Sequence, residues 1–240
     1  MPQDISGYDV GALLYCPANA HHTVAQAVAA ERLPRPFSLA LCLEDTVRAD
    51  ALAAAEQAVE QTLHDLTDAA RQETFYRPLT FVRVRSPEQL ARLGRAYGKY
   101  RPLLTGFILP KFFIETCGAY CAVIRDLQAD GLDYFYMPVF EAPSMLPLHT
   151  RHAALAEVKA QLDALRECIL NIRVGGNDLC HVFGLRRDPG HTIYDLRPVA
   201  DVLTDLLTTF APDYLGAGPV WEYYDGPGWA KGLAQECALD

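Results

Sequence analysis

Residues 134–178, YFYMPVFEAPSMLPLHTRHAALAEVKAQLDALRECILNIRVGGND, decide the fold. Tyr134–Phe140 is a short aromatic and apolar run that reads as a strand. It ends at Glu141, and Ala142-Pro143 breaks the chain behind it. Over His149–Leu165 the apolar residues recur at helical spacing. Cys168–Val174 (CILNIRV) then reads as a second strand, closed by Gly175-Gly176-Asn177-Asp178. Strand, helix and strand in this succession argue for parallel neighbours joined by a helical crossover.

The same alternation runs outward in both directions. Strand patterns cover Gly11–Cys16, Phe37–Leu43, Leu79–Val84 and Thr105–Leu109 on one side and Asp213–Gly216 on the other. Helical patterns cover Thr23–Arg32, Asp50–Thr74, Pro87–Tyr97, Phe112–Ala129, Asp195–Phe210 and Gly228–Ala238, with Ser86 placed to N-cap the third. No composition break interrupts them, so residues 1–240 read as a single domain. The fold expected is α/β, a TIM-type (β/α) barrel. The competing fold is a doubly wound open sheet. Its Gly-x-Gly-x-x-Gly signature is not met by Gly175-Gly176-Asn177 or Gly216-Ala217-Gly218. A closed barrel has eight strands; this reading finds seven, with a helix where the eighth should follow.

Bulk properties narrow the function. The chain has 240 residues, half of them apolar and 21% charged, as for a globular domain with one core. A net charge of −9 argues against general nucleic-acid binding, which needs clustered Lys and Arg. It leaves small anionic substrates open, since a cation and a few arginines can reverse the local field. The N-terminus, MPQDISGYDVGALLYCP, does not read as a signal peptide, and no run is long enough for a membrane span. The 7 cysteines form no Cys-x-x-Cys pair. Cys16, Cys42 and Cys168 sit in apolar runs and read as reduced core thiols of a cytoplasmic protein.

Barrel enzymes project their reactive side chains from the carboxyl ends of the strands. Polar residues collect there: Glu44 and Asp45, then Arg83 and Arg85, then Lys111, Glu141 and Asp178. An inward arginine in a strand is costly unless paired, which singles out Arg83. Glu44 and Asp45 are adjacent and point differently, so one is expected to face the site and the other to cap or pair, with Asp45 favoured for the site. Asp178 could also N-cap the helix after it, a role compatible with binding a cation. Lys111 reads either as a partner for a carboxylate or as a substrate ligand. Gly175 and Gly176 read as places where the backbone approaches a metal or substrate. His149 and His152 share a helix face and could bind metal, but with no acidic partner motif a surface or packing role is favoured, and His181 reads as a core residue or a support for Asp178.

In this order, LCLEDTV, FVRVRS, FILPK, PVFEAPSM and VGGNDLCHVFG resemble the citrate lyase β-subunit-like branch of the HpcH/HpaI aldolase family. The likeness extends to the carbon–carbon bond lyase-like proteins of tellurium-resistance gene clusters. It implies a phosphoenolpyruvate/pyruvate-type barrel, often trimeric, that uses Mg²⁺, with Mn²⁺ as the alternative. It implies Glu141 and Asp178 as metal ligands and Arg83, Asp45 and Glu44 as catalytic residues. Arg83, Arg85, Lys111, Gly175 and Gly176 would bind a small anionic substrate, a 2-oxo acid or acyl thioester. Mg²⁺ suits such a site, since it takes one or two carboxylates plus water and substrate oxygens. The reaction implied is cleavage or formation of a carbon–carbon bond through a metal-stabilised enolate. The alternatives are a non-catalytic metal-binding or assembly protein and a metal-dependent thioester hydrolase.

The chain also departs from the family. Leu52 and Glu56 stand where a Lys and an Arg are common, and Arg85 replaces an asparagine, which suggests a second anionic group on the substrate. The closing segment that supplies strand eight does not follow Asp240, so the barrel is expected to lack that strand within this chain.

Overall fold

The structure, a computed structural model, describes residues 5–33, 35–72, 74–186, 191–211 and 213–218. The expected closing helix over 228–238 and the aromatic run Trp221, Tyr223, Tyr224 lie outside the described residues. The described strands number seven, all pairs are parallel, and their hydrogen-bonded order is the order of the chain. Contacts divide the chain into two compact units.

The first unit comprises Met1–Pro110, Gly118–Pro138 and Leu165–Leu170. It holds β1 (Leu13–Pro17), α1 (His21–Ala29), β2 (Ser38–Cys42), α2 (Leu52–Gln72), β3 (Thr80–Arg83) and α3 (Pro87–Ala96). β4 (Leu104–Leu109), most of α4 (Cys117–Ala129) and the start of β5 (Phe135–Phe140) complete it. Every position of β2 and β3 is buried. This is the mark of a parallel sheet covered on both faces, and it explains why these strands read as apolar runs instead of alternating ones. Ser86 caps α3 as expected, its hydroxyl accepting from the Gln89 N–H, with Pro87 in the first turn.

The second unit comprises Lys111–Cys117, Val139–Ala164 and Asn171–Asp240. It holds the end of β5, α5 (Leu148–Asp163), β6 (Ile172–Val174), α6 (Gly176–Val182), α7 (Arg197–Phe210) and β7 (Gly216–Ala217). Val139 pairs with Arg173 and Phe140 with Val174, and β7 continues the ladder from β6. The ring of Phe140 packs against Phe210, centroids 5.0 Å apart. Arg151 is only 2% exposed. Its guanidinium donates to Asp205 at 2.8 Å and to the carbonyls of Leu146 and Met145, tying α5 to α7.

Three elements differ from the sequence pattern. β6 begins at Ile172 instead of Cys168, because Arg166–Cys168 is a 3-10 turn and Ile169 makes only an isolated bridge to Tyr136. An apolar run satisfies burial in either form, so hydrophobicity alone could not separate turn from strand. α4 begins at Cys117 instead of Phe112. Phe112 and Phe113 are fully buried, and the Phe112 N–H donates to the Val139 carbonyl at 2.9 Å. That bond holds the segment beside β5 and outside the helix. The last strand is Gly216–Ala217, shifted from Asp213–Gly216. No described helix is long and apolar enough to cross a membrane.

Candidate metal centre

Glu141 is the first residue beyond β5 and is 2% exposed. Two features of the backbone hold it. Lys111 has a left-handed backbone, φ +49°, and its N–H donates to Glu141 Oε1 at 3.2 Å. That conformation costs a non-glycine residue about 1–2 kcal/mol, so neighbouring structure must impose it. On the other side, a Cβ built on Gly175 would stand 2.1 Å from Glu141 Oε2 and 2.5 Å from its Cβ. The carboxylate therefore occupies the space that any side chain at 175 would take.

Gly175 is itself fixed. Its N–H donates to the Phe140 carbonyl at 3.1 Å, and its carbonyl accepts from Leu179 in α6 at 3.0 Å. Asp178 lies in the first turn of α6 and is half-buried. Its side chain does not cap that helix, whose N-cap position is Gly175. Glu141 thus lies against Gly175, and Asp178 stands three residues further on in the first turn of α6.

This donor set fits a divalent cation. Both groups are hard oxygen donors, and Glu141 sits in a pocket that only glycine leaves open. Among the described residues no three His, Cys, Asp or Glu side chains gather to hold a metal. Two protein carboxylates with the remaining positions left to water and substrate is the habit of Mg²⁺. Glu141 and Asp178 would hold it.

A second charged cluster lies in the first unit. Arg83, 7% exposed at the end of β3, places Nη2 2.8 Å from Glu44 Oε2 and Nη1 3.1 Å from Asp45 Oδ2. Glu44 is buried and Asp45 half-exposed, so both acids pair where one was expected to. Arg85 is placed differently from its expected substrate role. Its Nε donates to the Leu43 carbonyl at 2.6 Å and its Nη2 to the carbonyls of Glu44 and Val47. The guanidinium thereby clamps the turn that carries Glu44 and Asp45. Gln89 supports it by accepting the Arg85 N–H at 2.7 Å and donating to Glu56 at 2.6 Å. Glu56 also takes Arg92, at 2.6 Å.

Of the remaining candidates, His152 pairs with Asp205 at 3.0 Å, while His149 and His181 are exposed. Cys16, Cys42, Cys117, Cys121 and Cys168 are buried and in no disulfide, and burial pushes the Cys16 and Cys168 thiols up to about 11 and about 12. They are core residues without nucleophilic character. An apolar groove of about 340 Å³ beside β7 and a cavity of about 510 Å³ at the starts of β3 and β4 are lined by neither Glu141 nor Asp178. Sequence reasoning passed over two contributions: the Lys111 amide, which acts through a dihedral angle that no residue type announces, and the Arg85 clamp. The only advance signal was the position of Arg85, two residues after Arg83.

Parallel strands in chain order, with carboxylates gathered just past β5 and β6, are the layout of a β/α-barrel enzyme. The family can be stated more narrowly. The chain belongs to the carbon–carbon bond lyases of the TIM-barrel fold, whose family model it matches over residues 4–240, and it is a carbon–carbon lyase by class. No curated protein matches it. Three solved structures from Mycobacterium tuberculosis share the fold. The citrate lyase β subunit complexed with oxaloacetate and magnesium is 21% identical with a TM-score of 0.56, over 90% of this chain and 82% of that one. The protein CitE with magnesium, acetoacetate and coenzyme A is 20% identical with a TM-score of 0.57, over 88% and 66%. CitE with magnesium and acetate is 21% identical with a TM-score of 0.58, over 94% and 78%.

Proposed function

We propose that this protein is a Mg²⁺-dependent lyase that breaks or forms a carbon–carbon bond next to a carbonyl, on a small acidic substrate such as a 2-oxo acid or acyl thioester. The observation that carries the reading is the buried Glu141 carboxylate, which accepts the Lys111 N–H and lies against Gly175, three residues before Asp178. When bound, the cation supplies Lewis-acid stabilisation to the carbonyl oxygen on which charge builds. Glu141 and Asp178 hold and orient it. Magnesium with oxaloacetate, acetoacetate or acetate in the M. tuberculosis structures supports this choice of metal and substrate class.

The test is release of pyruvate or an acetyl group from a panel of 2-oxo-4-hydroxy acids and acyl thioesters, with Mg²⁺. Turnover by the wild type that falls a hundredfold or more in Asp178→Ala is expected. Equal turnover by both would remove Asp178 from the reaction. Cation binding with no turnover on any member would favour the non-catalytic alternative, and release of free acid from a thioester with its carbon skeleton intact would favour the hydrolase.

A further inference from the structure

We propose that Lys111 and Gly175 are positioning residues that fix the pose of the Glu141 carboxylate for a divalent cation, Lys111 by its left-handed backbone amide and Gly175 by having no side chain. The proposal rests on the metal reading of Glu141 and Asp178 and assigns the residues that set that site's affinity. It gives the Lys111 backbone a part in the site and makes Gly175 a residue that shapes a ligand.

The physical case starts with freedom. A glutamate carries its carboxylate on rotatable bonds, and a ligand that must be frozen on binding weakens the site. Groups that fix ligands beforehand therefore act on metal affinity without touching the metal. At Glu141 the two oxygens meet different restraints. Oε1 accepts the Lys111 N–H at 3.2 Å. Oε2 lies in the volume that a Cβ on Gly175 would fill, 2.1 Å from its centre. One restraint is a directed donor and the other a steric one, and they act on different oxygens.

The two residues are coupled to secondary structure on different sides of the site. Lys111 is the second residue after β4, and the Phe112 N–H beyond it donates to the Val139 carbonyl of β5. The chain must turn sharply between these points, and φ +49° at Lys111 makes the turn. Gly175 lies between β6 and α6, anchored to the Phe140 carbonyl. Both restraints thus refer back to β5, the strand that delivers Glu141. A shift of β5 carries ligand and restraints together.

The experiment is Mn²⁺ binding to the full chain, followed by the electron paramagnetic resonance of free and bound ion. The wild type is expected to bind and Asp178→Asn to bind at least tenfold more weakly. Lys111→Gly keeps an N–H and admits a positive φ freely. Like Lys111→Val it loses the lysine side chain, so the two variants differ in backbone freedom, and it is expected to bind at least tenfold more tightly than Lys111→Val. Lys111→Val disfavours that φ, and Gly175→Ala places a methyl on the carboxylate. Each is expected to weaken binding tenfold or more and to alter the bound-ion spectrum, with circular dichroism showing the fold retained. A purely structural role would lower thermal stability and leave that spectrum alone. If Gly175→Ala does not fold, the Lys111 pair decides. Equal affinity of the Gly and Val variants overturns the proposal. A wild type that does not bind Mn²⁺ overturns the metal reading itself. That failure differs from one in which the wild type binds and every positioning variant binds as well.

Discussion

Glu44 and Glu141 are both buried acids at the ends of strands, one in each unit, and they are held by different means. Glu44 is held by a charge, the Arg83 guanidinium 2.8 Å away, and its turn is clamped by Arg85. Glu141 is held by an amide and by a shape, the Lys111 N–H and the bare Cα of Gly175. A charge partner neutralises the acid it positions. An amide and the space beside a glycine set where an acid's oxygens lie through uncharged groups.

The sharpest way to break this contrast is to remove the charge partner in the first unit. Arg83→Ala removes the guanidinium 2.8 Å from the buried Glu44, and breaking a buried pair from one side costs about 3–5 kcal/mol. Urea unfolding is expected to show a loss of that size. A loss below about 1 kcal/mol would mean that Glu44 is not held by Arg83. Arg85→Ala comes next, since it deletes charge-assisted donors to the Leu43, Glu44 and Val47 carbonyls. A loss of about 2 kcal/mol is expected. Arg85→Lys should recover only part of it, because an ammonium cannot present the planar fork that reaches several carbonyls at once. Full recovery in Arg85→Lys would show that charge alone holds the turn.

The contrast is sharpened in the second unit by Glu141→Gln. The amide oxygen can still accept the Lys111 N–H, and the side chain keeps its length beside Gly175. Stability is expected to stay within about 1 kcal/mol of wild type, while Mg²⁺ binding measured by calorimetry is lost. The pair of outcomes matters more than either alone. A large fall in stability together with lost binding would mean that Glu141 is held by its charge, like Glu44.

How much of this could be read from the chain follows from the same distinction. Strand order, the burial of β2 and β3 and the capping of α3 by Ser86 were legible, because apolar runs and cap residues report directly on burial and helix ends. Glu141 and Asp178 were legible as candidates, since an acid right after an apolar strand is unusual. What held them was not. Lys111 is an ordinary lysine in the sequence, and only the turn forced by Phe112 on Val139 gives it φ +49°. Arg85 read as a second anion binder because it follows Arg83 by two residues, as on one face of a strand. β3 in fact ends at Arg83, so that periodicity no longer governs Arg85, and its side chain reaches the turn after β2. The late start of β6 belongs with these cases, because Cys168 is buried in a turn as readily as in a strand.

The smallest effect concerns an acid of the second unit that is held by charge, which tests whether the contrast belongs to the residues or to the units. Asp205 lies between the buried Arg151 at 2.8 Å and the exposed His152 at 3.0 Å. Burial alone would raise its carboxyl. The hydrogen bonds from Arg151 and His152, with their positive charge, outweigh burial and hold it below the usual carboxylate range. A carboxyl depressed by folding contributes stability that is present above its unfolded value, about 3.9, and is lost as the pH falls through the lower folded value. Asp205→Asn is therefore expected to be less stable than wild type at neutral pH, by about 1 kcal/mol or more through Arg151, which stays buried. The gap should narrow on acidification below about pH 4, measured by urea unfolding across that range. A gap that stays constant with pH would show that Asp205 holds Arg151 by hydrogen bonding alone. In that case the contrast between a charge-held and a shape-held acid would apply to Glu44 and Glu141 but not to the tie between α5 and α7.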